Sequence, residues 1–92
     1  MPTSDLDLAF VMPDDTPAER LERALRQAAG DLLVSCELFD VYRGQGVDPG
    51  TRSLAFRLRL QQRERNITDA DIAAVRERCI AGAERLDATL RG

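Results

Sequence analysis

Histidine, lysine and tryptophan are absent from this chain of 92 residues, and tyrosine occurs only once. Without histidine, the chain cannot form a Ser-His-Asp triad, a histidine acid–base centre or a Cys/His zinc site. The two cysteines, Cys36 and Cys79, fall singly in predicted elements and are interpreted as small buried apolar residues. We therefore expect no active site, cofactor or metal within these residues.

Long apolar runs are also missing, because no stretch approaches the roughly 20 residues that a membrane-spanning helix requires. The first residues lack the basic and then apolar pattern of a secretion signal. A chain this short buries roughly 60–65 % of its unfolded surface, which is enough for one core but not for a deep enclosed active site as well. We expect a single domain over residues 1–92, no contact with a membrane, and a cytoplasmic location.

The net charge of −3 argues against a general nucleic-acid binder, although all 13 basic residues are arginines. A preference for arginine over lysine can reflect nothing more than genomic base composition. Arginine also suits phosphate and base recognition, because its planar fork donates two parallel hydrogen bonds and stacks on rings. The positions of the arginines therefore decide more than their number.

The order of the periodic segments predicts a β-α-β-β-α-β chain. Apolar alternation predicts strands, and apolar residues at helical spacing predict two helices. The strands are expected at residues 5–12, 32–43, 53–61 and 88–91. The helices are expected to begin after N-caps at Thr16, in a capping box with Glu19, and at Thr68. This order predicts the α+β, ferredoxin-like fold: an antiparallel four-stranded sheet in the order 4-1-3-2 with both helices on one face.

The irregular pattern of the second strand predicts a β-bulge within residues 37–39. The apolar residues before and after this point have opposite parity, so an uninterrupted strand cannot bury both groups. One extra residue would repair the pattern and place Phe39 and Val41 in the core. It would leave Asp40 and Tyr42 exposed on the other side of the sheet.

The sheet face without helices, here called the open face, is predicted to gather arginine around the only tyrosine. The candidate site residues on it are Asp40, Tyr42, Ser53, Arg57, Arg59 and Arg91. An aromatic plane, hydrogen-bonding groups and guanidinium charge on one sheet surface are typical of a site for an unstacked base. With one aromatic, this face is expected to hold one base.

Each of these residues also has a simpler interpretation. Tyr42 can be an ordinary aromatic on an edge strand, where such residues are common. Asp40 can cap the hairpin or form an ion pair with Arg52. Arg57 and Arg59 can belong to a solvated strand face.

The segment ELFDVYRG, followed by SLAFRL, resembles the ferredoxin-fold anticodon-binding domain found at the C-terminus of bacterial phenylalanyl-tRNA synthetase beta subunits. The likeness covers residues 7–11, 38–44, 53–58, 68–69 and 90–91. The chain departs from the family at residues 4–6, where members often carry a proline and basic residues. The resemblance implies a non-catalytic piece of a longer subunit, within an α₂β₂ enzyme that uses ATP and magnesium.

The resemblance also implies a ligand, the anticodon stem-loop of tRNA(Phe). It implies that Tyr42 stacks on the first anticodon base, that Asp40 contacts the same nucleotide, and that Ser53 and Arg91 complete the site. A carboxylate placed beside the ring in this way can accept hydrogen bonds from guanine N1–H and N2–H₂. Arg57 and Arg59 are expected to contact phosphates or sugars, without reading base identity.

A small ferredoxin-like domain can instead be a regulatory or assembly module that binds a metabolite or a protein through its sheet. A glycine-rich turn after the first strand would favour that function, and residues 13–16 contain no glycine. An acylphosphatase-like hydrolase would need an arginine in the same loop, which has none. Anticodon recognition is therefore the predicted function, and the regulatory or assembly module is the alternative.

Overall fold

The computed structural model describes residues 2–92. Its strands are β1 (Ser4–Pro13), β2 (Leu33–Tyr42), β3 (Thr51–Leu60) and β4 (Thr89–Leu90), and its helices are α1 (Ala18–Ala29) and α2 (Asp69–Glu84). The strands form one sheet in the order β2-β3-β1-β4, and every pairing is antiparallel. The predicted ferredoxin-like fold and its 4-1-3-2 order are therefore confirmed.

Burial alternates along β1 and β3 as expected for strands with one covered face. The covered residues are Leu8, Phe10, Met12, Leu54, Phe56, Leu58 and Leu60, each at most 2 % exposed. Leu21 and Leu25 of α1 and Val75 and Cys79 of α2 join them in one core. Arg57 and Arg59, which have the other parity on β3, are exposed. The helices therefore cover one side of the sheet and leave the open face uncovered.

The two helices begin in different ways. At α2 the predicted N-cap is confirmed: the Asp71 amide donates to Thr68 Oγ1 at 3.1 Å, and the Thr68 amide donates to the Asp71 carboxylate at 2.9 Å. At α1 the predicted Thr16 cap is wrong, because the helix begins at Ala18 after Pro17 with no side-chain cap. The Thr16 amide is already used in a turn, where it donates to the Pro13 carbonyl at 3.2 Å.

Arg52 stabilises the turn between β1 and α1 through hydrogen bonds to the backbone of that turn. It stands opposite Met12 in the β1–β3 register, on the covered side of the sheet, and its side chain is part-buried. Its guanidinium donates to the Pro13 carbonyl at 2.7 Å and to the Thr16 carbonyl at 2.9 Å. The alternative in which Arg52 forms an ion pair with Asp40 is therefore wrong, since Arg52 is committed to the β1–α1 turn.

The Asp71 carboxylate of the α2 cap predicts a pH-dependent stability. It accepts from Arg65 at 2.7 and 2.9 Å, and this pair together with the Thr68 amide holds the pKa of Asp71 well below its usual range. A pKa that is lower in the folded state adds stability above the unfolded value, near 4, and loses it as pH falls. We expect Asp71→Asn to destabilise the domain at pH 6, with the difference shrinking towards pH 3 in urea unfolding.

Asp69→Asn is the matched control, because Asp69 lies in the same helical turn and the change removes the same charge. The loss in free energy of unfolding caused by Asp69→Asn should be smaller at pH 6 than the loss caused by Asp71→Asn, and it should change less with pH. If the loss in free energy of unfolding caused by Asp71→Asn stayed constant between pH 6 and pH 3, the assignment of the cap would be wrong.

Strand β2 contains the predicted bulge, but the bulge does not bury Phe39. Leu38 stands opposite Phe56 and Asp40 opposite Ala55, so Phe39 is the extra residue. Phe39 is 50 % exposed and lies on the open face, where the Arg57 guanidinium carbon is 4.9 Å from its ring centroid. Val41 has the parity of the core but is 47 % exposed, because it lies near the end of the edge strand β2, outside the core cluster. The predicted bulge is confirmed, and the predicted core positions of Phe39 and Val41 are wrong.

Candidate nucleic-acid interface

Tyr42 ends β2 with its ring held from two directions. Its hydroxyl donates to the Gln45 carbonyl at 3.0 Å, and the Arg91 guanidinium carbon lies 4.9 Å from the ring centroid. Gly44 permits this arrangement, because a Cβ there would lie 3.1 Å from the Tyr42 hydroxyl and its φ is +140°. The residue remains 36 % exposed. The hairpin loop thus fixes the orientation of a partly exposed aromatic ring.

Arg91 reaches Tyr42 from the far side of the sheet. Its amide donates to the Ala9 carbonyl of β1 at 2.7 Å, just after β4. Because the strand order is β2-β3-β1-β4, its side chain must cross the open face above β1 and β3. Ser53 stands opposite Tyr42 on one side and Val11 on the other, and it is only 3 % exposed. Ser53 therefore lies on the predicted face but offers almost no surface in this conformation.

Asp40 presents an uncommitted carboxylate beside this ring. It stands opposite Ala55 on the open-face side of β3 and is exposed. Within residues 2–92, no hydrogen bond or ion pair engages its side chain. A free carboxylate has acceptor capacity for two donors of a ligand.

Arg57 and Arg59 are each paired with a carboxylate of β1. Arg57 donates to Asp7 at 2.9 and 2.9 Å, and Arg59 donates to Asp5 at 2.9 and 3.2 Å. These contacts lower the pKa of both aspartates. The expected concentration of positive charge is therefore largely cancelled. Each arginine still has three of its five N–H donors for a ligand, since the carboxylate uses two.

Phe39 is a further exposed aromatic that the sequence argument assigned to the core. The parity of the surrounding residues detects the bulge, but it does not say towards which face the extra residue turns. The presence of arginines on the neighbouring strand was the available signal, because a guanidinium stabilises an aromatic ring that lies against it. The open face thus carries two aromatic rings, Phe39 and Tyr42, each beside a guanidinium.

Outside the open face, the described residues 2–92 show no comparable grouping of exposed aromatic, carboxylate and guanidinium side chains. A cavity of about 450 Å³ lies between α1 and α2, and its arginines belong to the helical side, away from the open face. Cys36 and Cys79 are buried, and burial raises the pKa of each thiol to about 11. Residues 2–92 contain no group of three or more side chains suited to a metal ion. None of the helices in this range has the length and apolar character needed to cross a membrane.

Comparison with known proteins identifies the family of this chain. The sequence is similar to phenylalanine–tRNA ligase beta subunits from Synechococcus sp. (strain JA-3-3Ab), 49 % identical over 84 residues, and from Thermobifida fusca (strain YX), 42 % identical over 92 residues. The matches cover 91 % and 99 % of this chain but 10 % and 11 % of the relatives, so the chain spans about a tenth of their length. The pattern that defines the ferredoxin-fold anticodon binding domain matches residues 1–91. This chain, with its four-stranded sheet and aromatic open face, therefore belongs to the ferredoxin-fold anticodon binding domain family.

Proposed function

We propose that this chain recognises the anticodon of tRNA(Phe) as a non-catalytic part of a phenylalanine–tRNA ligase beta subunit. The observation that carries the proposal is the exposed ring of Tyr42 with the uncommitted carboxylate of Asp40 two residues before it. In this proposal the chemistry, with ATP and magnesium, takes place in the rest of the enzyme. The remainder of the beta subunit and the alpha subunit, in an α₂β₂ assembly, are then the protein partners.

Tyr42 supplies the stacking surface in this proposal. The bond from its hydroxyl to Gln45 holds the ring before a base arrives, so less conformational freedom is lost on binding. The Arg91 guanidinium now occupies part of the space beside the ring, and an incoming base moves it aside. Ser53 lies opposite Tyr42 but is only 3 % exposed, so its contact with a ligand requires the side chains above it to move.

Asp40 supplies base identity. Its carboxylate can accept from N1–H and N2–H₂ of guanine, whereas adenine offers a lone pair at N1 and would face the carboxylate unfavourably. Arg57 and Arg59 keep donors free for phosphates or sugars while Asp7 and Asp5 fix their orientation. We therefore assign Asp40 to the base edge and the two arginines to positioning of the RNA.

Asp40→Ala tests this assignment. We expect the parent chain to bind an anticodon stem-loop with guanine at the first anticodon position more tightly than one with adenine. Because hydrogen bonds to a charged group are the stronger ones, Asp40→Ala should reduce this preference by roughly tenfold. Fluorescence anisotropy with the two labelled stem-loops at a fixed salt concentration measures the ratio of the Kd values.

Glu37→Ala is the matched control, because Glu37 is also an exposed acid on the open-face side of β2, opposite Arg57. It removes the same charge, so it should strengthen binding to both stem-loops without changing their ratio. If Asp40→Ala behaved in the same way, the carboxylate would act only through its charge and the edge-reading role would be wrong. If neither stem-loop bound to the open face at all, the regulatory or assembly module would replace the anticodon function.

A further inference from the structure

The open face has a second aromatic position that the anticodon-base site at Tyr42 does not use. Phe39 is half exposed, and nothing in the described core covers it. It is the bulged residue of β2, so it and its neighbour Asp40 both lie on the open-face side. Phe39 and Tyr42 are three positions apart, which corresponds to about 10 Å along a strand. One base cannot lie over both rings.

Phe39 is also fixed in place by a chain of contacts that reaches the centre of the sheet. The Arg57 guanidinium lies 4.9 Å from the Phe39 ring centroid and is itself held by Asp7 at 2.9 Å through two bonds. A guanidinium in this position stabilises an exposed aromatic ring through a cation–π interaction. The ring is therefore an ordered surface feature with an anchored guanidinium beside it, and the same guanidinium keeps donors for a phosphate.

We propose that Phe39 and Arg57 form a second nucleotide subsite, which takes the base and phosphate of the second anticodon nucleotide, the neighbour of the one held by Tyr42 and Asp40. This inference rests on the proposed function. Phe39 has no hydrogen-bonding group, so the subsite holds a base by its face and accepts any of the four bases. Single-stranded RNA is recognised on other open sheets through two or three such aromatics. Asp40 then discriminates between bases, whereas Phe39 increases the affinity for RNA without discriminating between bases.

The test uses the 92-residue chain and two labelled anticodon stem-loops. One is intact, and the other lacks the base of the second anticodon nucleotide while keeping its sugar and phosphate. We expect Phe39→Ala to weaken binding of the intact stem-loop at least about fivefold. It should have little further effect on the abasic stem-loop, which has already lost the base in question. Replacing the second base by any other base should leave the effect of Phe39→Ala unchanged.

Val34→Ala is the matched control, because Val34 is the other residue of β2 skipped by the register and is 49 % exposed, close to the 50 % of Phe39. It should not alter binding. Phe39→Leu keeps an apolar side chain without a ring and should lose as much affinity as Phe39→Ala; full binding by Phe39→Leu would overturn the stacking role. An equal loss with the abasic stem-loop would overturn it as well.

The outcomes separate this inference from the proposed function. If Tyr42→Ala weakens binding and Phe39→Ala does not, the second subsite is wrong and the anticodon site stands. If neither substitution changes RNA binding, both proposals are wrong. The circular dichroism spectrum of each variant should match that of the parent chain, because both rings lie on the exposed side of the sheet.

Discussion

Phe56→Ala should destabilise this domain by about 3–5 kcal/mol, the usual cost of removing a buried phenylalanine ring. Phe56 is completely buried in the centre of β3, opposite Leu8 on β1 and Leu38 on β2. It therefore contacts both halves of the sheet and the core beneath the helices. Domains of this size are stable by only about 5–15 kcal/mol, so this loss is a large fraction of the total stability and should lower the melting temperature markedly. Urea unfolding followed by circular dichroism measures the change.

Phe39→Ala provides the control, because it deletes the same ring from an exposed position in the same sheet. Its cost should stay below about 1 kcal/mol, in the range of substitutions away from the core. Equal destabilisation by the two substitutions would mean that the faces of the sheet are assigned incorrectly. A Phe56→Ala protein with an unchanged melting temperature would lead to the same conclusion.

Tyr42→Ala should have the largest effect on function. In the phenylalanine–tRNA ligase that we propose contains this domain, it should lower the efficiency of tRNA charging by about tenfold to a hundredfold. The reason is the loss of one stacked base, worth about 1–3 kcal/mol, in an interaction that affects tRNA binding only. Steady-state aminoacylation at varied tRNA concentration measures it as a change in kcat/KM for tRNA.

Amino-acid activation in the absence of tRNA should be unaffected by Tyr42→Ala, because the activation chemistry is placed elsewhere in the enzyme. Tyr42→Phe should be mild, since it keeps the ring and removes only the bond from the hydroxyl to Gln45. Impaired activation without tRNA, or unchanged charging, would contradict the anticodon role of Tyr42.

Most of the fold could be predicted from the sequence because its signals are local. Alternation along β1 and β3 and the capping residue Thr68 depend on neighbouring residues, and the structure confirms them. The start of α1 could not be predicted in the same way. Thr16 has the right chemistry for a cap, but its carbonyl is bound by Arg52, which is 36 residues away in sequence. A competing long-range contact of this kind leaves no trace in the local pattern.

The candidate site shows the same division. The sequence indicated that Asp40 and Tyr42 share a face, because their spacing of two is sufficient for that conclusion. It did not indicate that Arg57 is paired with Asp7, since that depends on the register between two strands. It also assumed that an apolar residue at a bulge belongs to the core, whereas Phe39 lies on the open face in contact with the Arg57 guanidinium.

The bulge at Phe39 also determines which changes in chain length this domain can tolerate. Leu38 pairs with Phe56 and Asp40 pairs with Ala55, so Phe39 is one extra residue of β2 with no partner on β3. Deleting residue 39 would therefore remove this irregularity and keep all the pairs between β2 and β3, including those on both sides of the bulge. In β3, which has no bulge against β1, a similar deletion would turn core residues onto the opposite face. A change of one residue at this bulge therefore adds or removes a single side chain on the binding surface while the fold is preserved.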